Sequence, residues 1–124
     1  MNRPFEFTGR IRSFKHAFTG IWLMIQSQHN ARIHAAATLG VIIAGLVVGL
    51  RPAEWCWIVL AIAAVWTAEA LNTAFELLAD VTTQEFHPVV KQSKDVAAGA
   101  VMITAIAAVM VGLIVFVPHI LAYL

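Results

Sequence analysis

Charge is scarce in this chain, and disulfides are excluded. Eight Lys and Arg and seven Asp and Glu make up 12% of the 124 residues, against 60% hydrophobic residues. A soluble domain of this length has too little interior to hide so much apolar side chain. Cys56 is the only cysteine, so no intrachain bridge can form; it reads as a small apolar residue at a membrane interface. The chain has no GxxxxGK[ST] run, no GxGxxG and no HRD or DFG set, which removes the usual signatures of nucleotide binding. There is no internal repeat and no low-complexity tract, and three spans cannot supply the inverted repeat of a secondary transporter. The formal net charge of +1 carries no signal for nucleic acid, and no such partner is expected. The first thirty residues mix apolar and charged side chains without the compact hydrophobic core of a cleavable signal.

Three segments are long and apolar enough to cross a hydrocarbon layer about 30 Å thick. They run from about Ile33 to Leu50, from Trp55 to about Ala79, and from about Val96 to Val117. The expected class is therefore an all-α membrane protein, one domain over 1–124. Arg3, Arg10, Arg12, Lys15 and Arg32 precede or open the first span, Lys91 and Lys94 lie between the second and third, and Arg51 alone occupies the first reversal. By the positive-inside rule the N-terminus and the 81–95 loop face the cytoplasm, with the C-terminus outside. Trp55, Trp57 and Tyr123 fit an outer aromatic belt, and Trp22 an inner one.

Phe7, Ile11, Phe14, Phe18, Ile21 and Ile25 step by four and three residues. That stripe predicts an amphipathic helix over about 5–29, lying on the inner leaflet or packed on another subunit. Gly45 and Gly49, four apart, would permit close helix approach. Arg51 to Glu54 leaves room only for a tight reversal. Residues 81–90 break the chain before Lys91, Lys94 and Asp95 open the last helix, followed by the small patch Ala97 to Ala100.

The feature that asks for a function is a polar stripe within the second span. Glu69, Asn72, Glu76 and Asp80 fall at steps of three, four and four, so they share roughly a quarter of the helix circumference. A carboxylate near the bilayer interior costs on the order of 2.5–3.5 kcal/mol on insertion scales. At 1.5 Å per residue Glu69 lies about 21 Å from the outer end of its helix, Glu76 about 10 Å further in, and Asp80 about 6 Å beyond. The stripe thus descends from acyl depth to the cytoplasmic surface. Glu69 is placed to serve as a general base toward a hydroxyl. Glu76 has the oxygen chemistry of a Mg²⁺ ligand, and Lys91 and Lys94 arrive at a level where they can neutralise phosphate. The bland alternative is that Glu76 and Asp80 merely pair with these lysines and with Arg32. His29, His34 and His87 carry weak signals, and no chemistry is expected of His119.

Glu69-Ala70-Leu71-Asn72-Thr73-Ala74-Phe75-Glu76 resembles the E-x-x-N-[ST]-A-x-E signature of the prokaryotic diacylglycerol kinase family. The resemblance continues through Asp80, Glu85-Phe86-His87-Pro88 and Lys94-Asp95-Val96-Ala97-Ala98-Gly99-Ala100, and covers about Phe14 to Val117. Asn30-Ala31-Arg32-Ile33-His34 and the His-Pro pair look more like the undecaprenol kinase branch. The resemblance implies a homotrimer with a surface helix and three membrane helices per chain, binding MgATP at sites between subunits. It implies Glu69 as catalytic base and Asn72 as the residue orienting the hydroxyl or the γ-phosphate. Glu76 would hold the nucleotide's metal; Glu85, Phe86 and His87 would border ATP, and Lys94 and Asp95 would contact it. Arg10 or Arg12, and Gly99, would belong to the lipid side. The chain departs from the pattern at Gln28, where the family usually has a second metal-binding glutamate. His16 stands where some members place an aromatic residue near the nucleotide.

Two readings follow. In one, a lipid alcohol such as undecaprenol or diacylglycerol takes a phosphoryl group from ATP. In the other, Glu69, Glu76 and Asp80 line a small cation or proton conduit, or the chain is a family member impaired by Gln28.

Overall fold

A computed structural model describes residues 4–124 and shows four helices in the order α1 (Phe7–Ser27), α2 (His29–Val48), α3 (Pro52–Thr82) and α4 (Pro88–Ala122). Arg3, counted above with the basic flank, lies outside the described residues. Three of the helices, α2, α3 and α4, are long and apolar enough to cross a membrane. The accessible surface is 9545 Å², against about 6,500 Å² for a soluble monomer of this mass. Much of the excess is apolar: Leu46, Val47, Leu60, Ile103 and Ile114 are all more than half exposed. Such a surface is stable only against lipid or other protein.

The helix boundaries differ from the sequence expectation in instructive ways. The expected gap between a surface helix ending near 29 and a span starting near Ile33 is replaced by one extended residue, Gln28, whose φ of −108° and ψ of 121° hinge α1 onto α2. Arg32 stabilises that hinge, donating from Nε to the Ile25 carbonyl at 3.2 Å and from Nη2 to that of Gln26. These carbonyls end α1 without an intrahelical partner, and a guanidinium suits them electrostatically. Helix α4 opens about a turn before Lys91, at Pro88, because Pro lacks the N–H that a first helical turn leaves unpaired. His87 caps it, its Nδ1 accepting from Val89 N at 3.2 Å.

At the opposite end of the bundle, Gly49 ends α2 in the left-handed region at φ 72°. It is a turn residue, not half of a helix-packing motif. Gly45 does mediate close approach, toward the Trp55 ring: a Cβ there would lie 2.6 Å from Trp55 Cη2 and 2.9 Å from Leu50 Cδ1. Trp55 is accordingly packed on the Leu50–Ile58–Val115 cluster, while Trp57 and Tyr123 are exposed as an aromatic belt requires. Glu54 closes the reversal, accepting from the Arg51 amide at 2.8 Å and its guanidinium at 3.2 Å. His119 Nε2, near the end of α4, sits 3.1 Å from both Glu54 oxygens. The Arg51 backbone bond, its guanidinium and then His119 hold the Glu54 carboxyl down to about 2. Midway, Trp66 Nε1 donates to Thr38 Oγ1 at 3.0 Å and pins α3 to α2.

Helix α1 behaves as a surface element. Phe7, Ile11, Phe14 and Phe18 are exposed, and only Met24, near its end, is buried in the bundle. At 31 and 35 residues, α3 and α4 extend to about 46 and 52 Å. Both are longer than a hydrocarbon core of about 30 Å requires.

Candidate active site

The stripe on α3 forms as the spacing requires, and its burial is graded. Glu69 is 1% exposed and Asn72 5%, Glu76 is half-buried and Asp80 exposed. Glu69 and Asn72 line a cavity of about 290 Å³ with Asn30 and His34 of α2 and Ala98 and Val101 of α4. Both carboxylate oxygens of Glu69 and Oδ1 of Asn72 are buried without a hydrogen-bond partner. Unpartnered buried oxygens are costly, about 1–3 kcal/mol each and more when charged, and in folded proteins they are rare. Three side by side mark a place reserved for something other than packing.

Glu76 adjoins this cavity, its Oε1 making a long 3.5 Å contact with Asn72 Nδ2. No lysine or arginine among the described residues forms an ion pair with Glu76, and Arg32 is engaged with α1 carbonyls. Asp80, by contrast, meets Lys94 Nζ at 3.3 Å. Lys91 meets Asp95 at 2.6 Å along α4. Both pairs are largely exposed, where such contacts contribute about 0–1 kcal/mol and are readily exchanged for a ligand.

The α3–α4 loop gathers a second cavity of about 330 Å³, lined by Asp80, Glu85, Phe86, His87, Lys94 and Asp95 among others. Five residues assigned to ATP by resemblance thus share one pocket. Thr83 shapes it: its hydroxyl donates to the Glu85 carbonyl at 3.1 Å and accepts from the Glu85 amide at 3.2 Å. A third cavity, of about 590 Å³, lies on α1 between Phe5, Arg10, Arg12 and His16, with Arg10 5.5 Å from the Phe5 ring centroid. No residue of α3 or α4 lines it. Gln28 is half-buried at the α1–α2 hinge. Gly99 borders none of these cavities, and a Cβ there would meet nothing within 4 Å. A longer apolar groove of about 810 Å³ runs between α3 and α4 from Leu60 past Leu71 to Val96, with Asn72 on its wall.

Sequence reasoning undervalued His34. Its Nε2 stands 3.6 Å from Glu69 Oε2, so it faces the buried carboxylate instead of the membrane boundary. The available signal was Asn30 and His34 four residues apart, one polar face at the start of an apolar span.

The model of the family described as prokaryotic diacylglycerol kinase matches residues 15–116 of this chain. The chain belongs to the prokaryotic diacylglycerol kinase family. It is 42% identical over 107 residues to an undecaprenol kinase of Bacillus subtilis, covering 86% of this chain and 87% of that protein. It is 38% identical over 111 residues to a diacylglycerol kinase of a Synechocystis species, covering 89% of this chain but 63% of that longer relative. Membership in the prokaryotic diacylglycerol kinase family makes this a membrane-bound lipid kinase and leaves the conduit reading without support.

Proposed function

We propose that this protein transfers the γ-phosphoryl group of ATP to the primary hydroxyl of a membrane lipid, undecaprenol or diacylglycerol, at the cytoplasmic leaflet. The observation that carries the reading is the family match across residues 15–116. The buried, unpartnered carboxylate of Glu69 supports it chemically. In this reading the lipid tail stays in the bilayer, along the α3–α4 groove, and its hydroxyl meets Glu69. Glu69 takes the hydroxyl proton as the alkoxide oxygen bonds to the γ-phosphorus and the bond to the β-phosphate oxygen breaks. Asn72, on the wall of both the groove and the Glu69 cavity, orients the hydroxyl or the γ-phosphate. Glu85, Phe86 and His87 border the nucleotide, while Lys94 leaves Asp80 and Asp95 leaves Lys91 to engage it. Little covalent help from the protein is needed, because phosphoryl transfer rests on positioning and charge stabilisation.

The donor set fits a magnesium ion that arrives with ATP. Glu76 offers a carboxylate, Asn72 an unpartnered amide oxygen and Gln28 a second amide oxygen. Among the described residues no cluster of three or more His, Cys, Asp or Glu could hold a metal alone. Magnesium commonly relies on one or two carboxylates together with phosphates and water. When bound it supplies neutralisation of charge on the transferring phosphate.

The α1 cavity of Arg10, Arg12 and His16, which no residue of the stripe lines, supports a homotrimer in which α1 of one chain serves a neighbour's site. The exposed apolar surface supports the same assembly. The concentration of basic residues supports an N-terminus and α3–α4 loop on the cytoplasmic side of a bacterial inner membrane. The test is γ-labelled ATP with purified protein in mixed micelles, offering undecaprenol and diacylglycerol side by side. Label in either lipid is expected. Label in neither overturns the proposal, and the ratio between them assigns the substrate.

A further inference from the structure

Glu69 shares its cavity with the polar side chains of Asn30, His34 and Asn72, yet neither of its carboxylate oxygens is hydrogen-bonded. Thr73, one turn further along α3, donates its hydroxyl to the Glu69 backbone carbonyl at 2.9 Å and not to the side chain. The permanent cations are engaged elsewhere: Lys94 with Asp80, Lys91 with Asp95, and Arg32 with carbonyls of α1. Among the described residues, the one basic side chain within 4 Å of the carboxylate is His34, at 3.6 Å from Oε2. That separation exceeds a hydrogen bond, yet a small rotation of either side chain closes it. His34 is largely withdrawn from solvent, with its side chain 19% exposed. The groups lining the cavity with it are Glu69 and Asn72 on α3, Asn30 and Ile33 on its own helix, and Ala98, Val101 and Met102 on α4, with Glu76 the next titratable group beyond Glu69. Because α4 contributes only apolar atoms, nothing from that side competes for the imidazole.

We propose that His34 is the positioning residue of the catalytic base: its ring N–H holds Oε2 of Glu69 and leaves Oε1 directed at the lipid hydroxyl. This rests on the kinase reading. His34 touches neither ATP nor the reacting oxygen, so it acts through Glu69 alone. Fixing one carboxylate oxygen removes a rotational freedom that would otherwise leave the base misaligned for part of the time. Losing one such hydrogen bond corresponds to about a tenfold fall in rate.

His34→Ala and His34→Gln test it, with Glu69→Gln as reference. His34→Ala is expected to lower kcat about tenfold while KM for ATP stays within about twofold of wild type. His34→Gln retains an amide donor at similar reach and is expected to recover most of the loss. Equal losses in the two variants, or a change confined to KM, overturn the proposal. A second readout needs no turnover. In ¹⁵N-histidine-labelled protein, the ring-nitrogen resonances of His34 are expected to move in Glu69→Gln while those of His87 stay. Unmoved His34 resonances overturn the contact itself. Wild-type protein that phosphorylates no lipid overturns the kinase reading instead, and the resonances then still decide whether His34 holds Glu69.

Discussion

Glu69→Gln should separate activity from stability in opposite directions. The substitution keeps size and shape in a cavity of about 290 Å³ and removes the negative charge. A positioned general base contributes about 10²–10⁴-fold, or roughly 3–5.5 kcal/mol of the barrier. Phosphoryl transfer should therefore fall by that factor. Stability should not fall with it. Both Glu69 oxygens are buried without a partner, and a carboxylate at bilayer depth costs on the order of 2.5–3.5 kcal/mol on insertion scales. A buried, unsatisfied amide still costs about 1–3 kcal/mol, so the net gain on substitution is about 1 kcal/mol. The assay is turnover in mixed micelles beside thermal unfolding of the same preparation. The expected result is near-complete loss of turnover with an unchanged or higher unfolding midpoint and ATP binding retained. Turnover within a few-fold of wild type would refute the base assignment. A large fall in the midpoint would show that Glu69 is needed for the fold, and the argument from its unpartnered oxygens would collapse.

Other expectations follow from single contacts. On the proposed metal assignment, Gln28→Glu adds a charged oxygen ligand and should tighten apparent Mg²⁺ affinity; an unchanged Mg²⁺ titration would place residue 28 away from the metal. Gly45→Ala forces a methyl to within 2.6 Å of Trp55 Cη2 and should destabilise the protein by about 1–3 kcal/mol, as overpacking does, measurable by thermal or denaturant unfolding. Glu54 has its carboxyl lowered from 4.5 to about 2, chiefly by the Arg51 backbone bond. A depressed value means its stabilisation is present above pH 4.5 and is lost as pH falls toward 2. Wild type should therefore lose thermal stability relative to Glu54→Gln between pH 5 and pH 2.5, in a comparison of unfolding midpoints; parallel curves would refute the link.

The membrane class, the three spans and the polar stripe were legible because each rests on a pattern of one residue type along one helix. A 3.6-residue repeat placed Glu69, Asn72, Glu76 and Asp80 on one face before any tertiary contact was known, and their graded burial followed. The α3–α4 loop motif was legible through family likeness, and its residues do share a pocket. What depended on contacts between helices was not legible. His34 reads as one polar residue at a span's edge, and only packing of α2 on α3 turns it toward Glu69. The four-residue spacing of Gly45 and Gly49 suggested one joint role, yet one admits an indole ring and the other ends a helix. Trp55 belongs by composition to an interfacial belt, but the space above Gly45 draws it inward. His119 lies 65 residues from Glu54 in sequence, a separation no local pattern bridges.

The most direct test reconstitutes wild-type protein in liposomes containing undecaprenol and diacylglycerol, with Mg²⁺ and ATP outside and an ion-sensitive dye within. Phosphorylated lipid that accumulates with ATP consumption, while the dye stays silent with or without nucleotide, is the expected result. Ion flux without ATP, and no phosphorylated lipid when it is supplied, would contradict the account at its root.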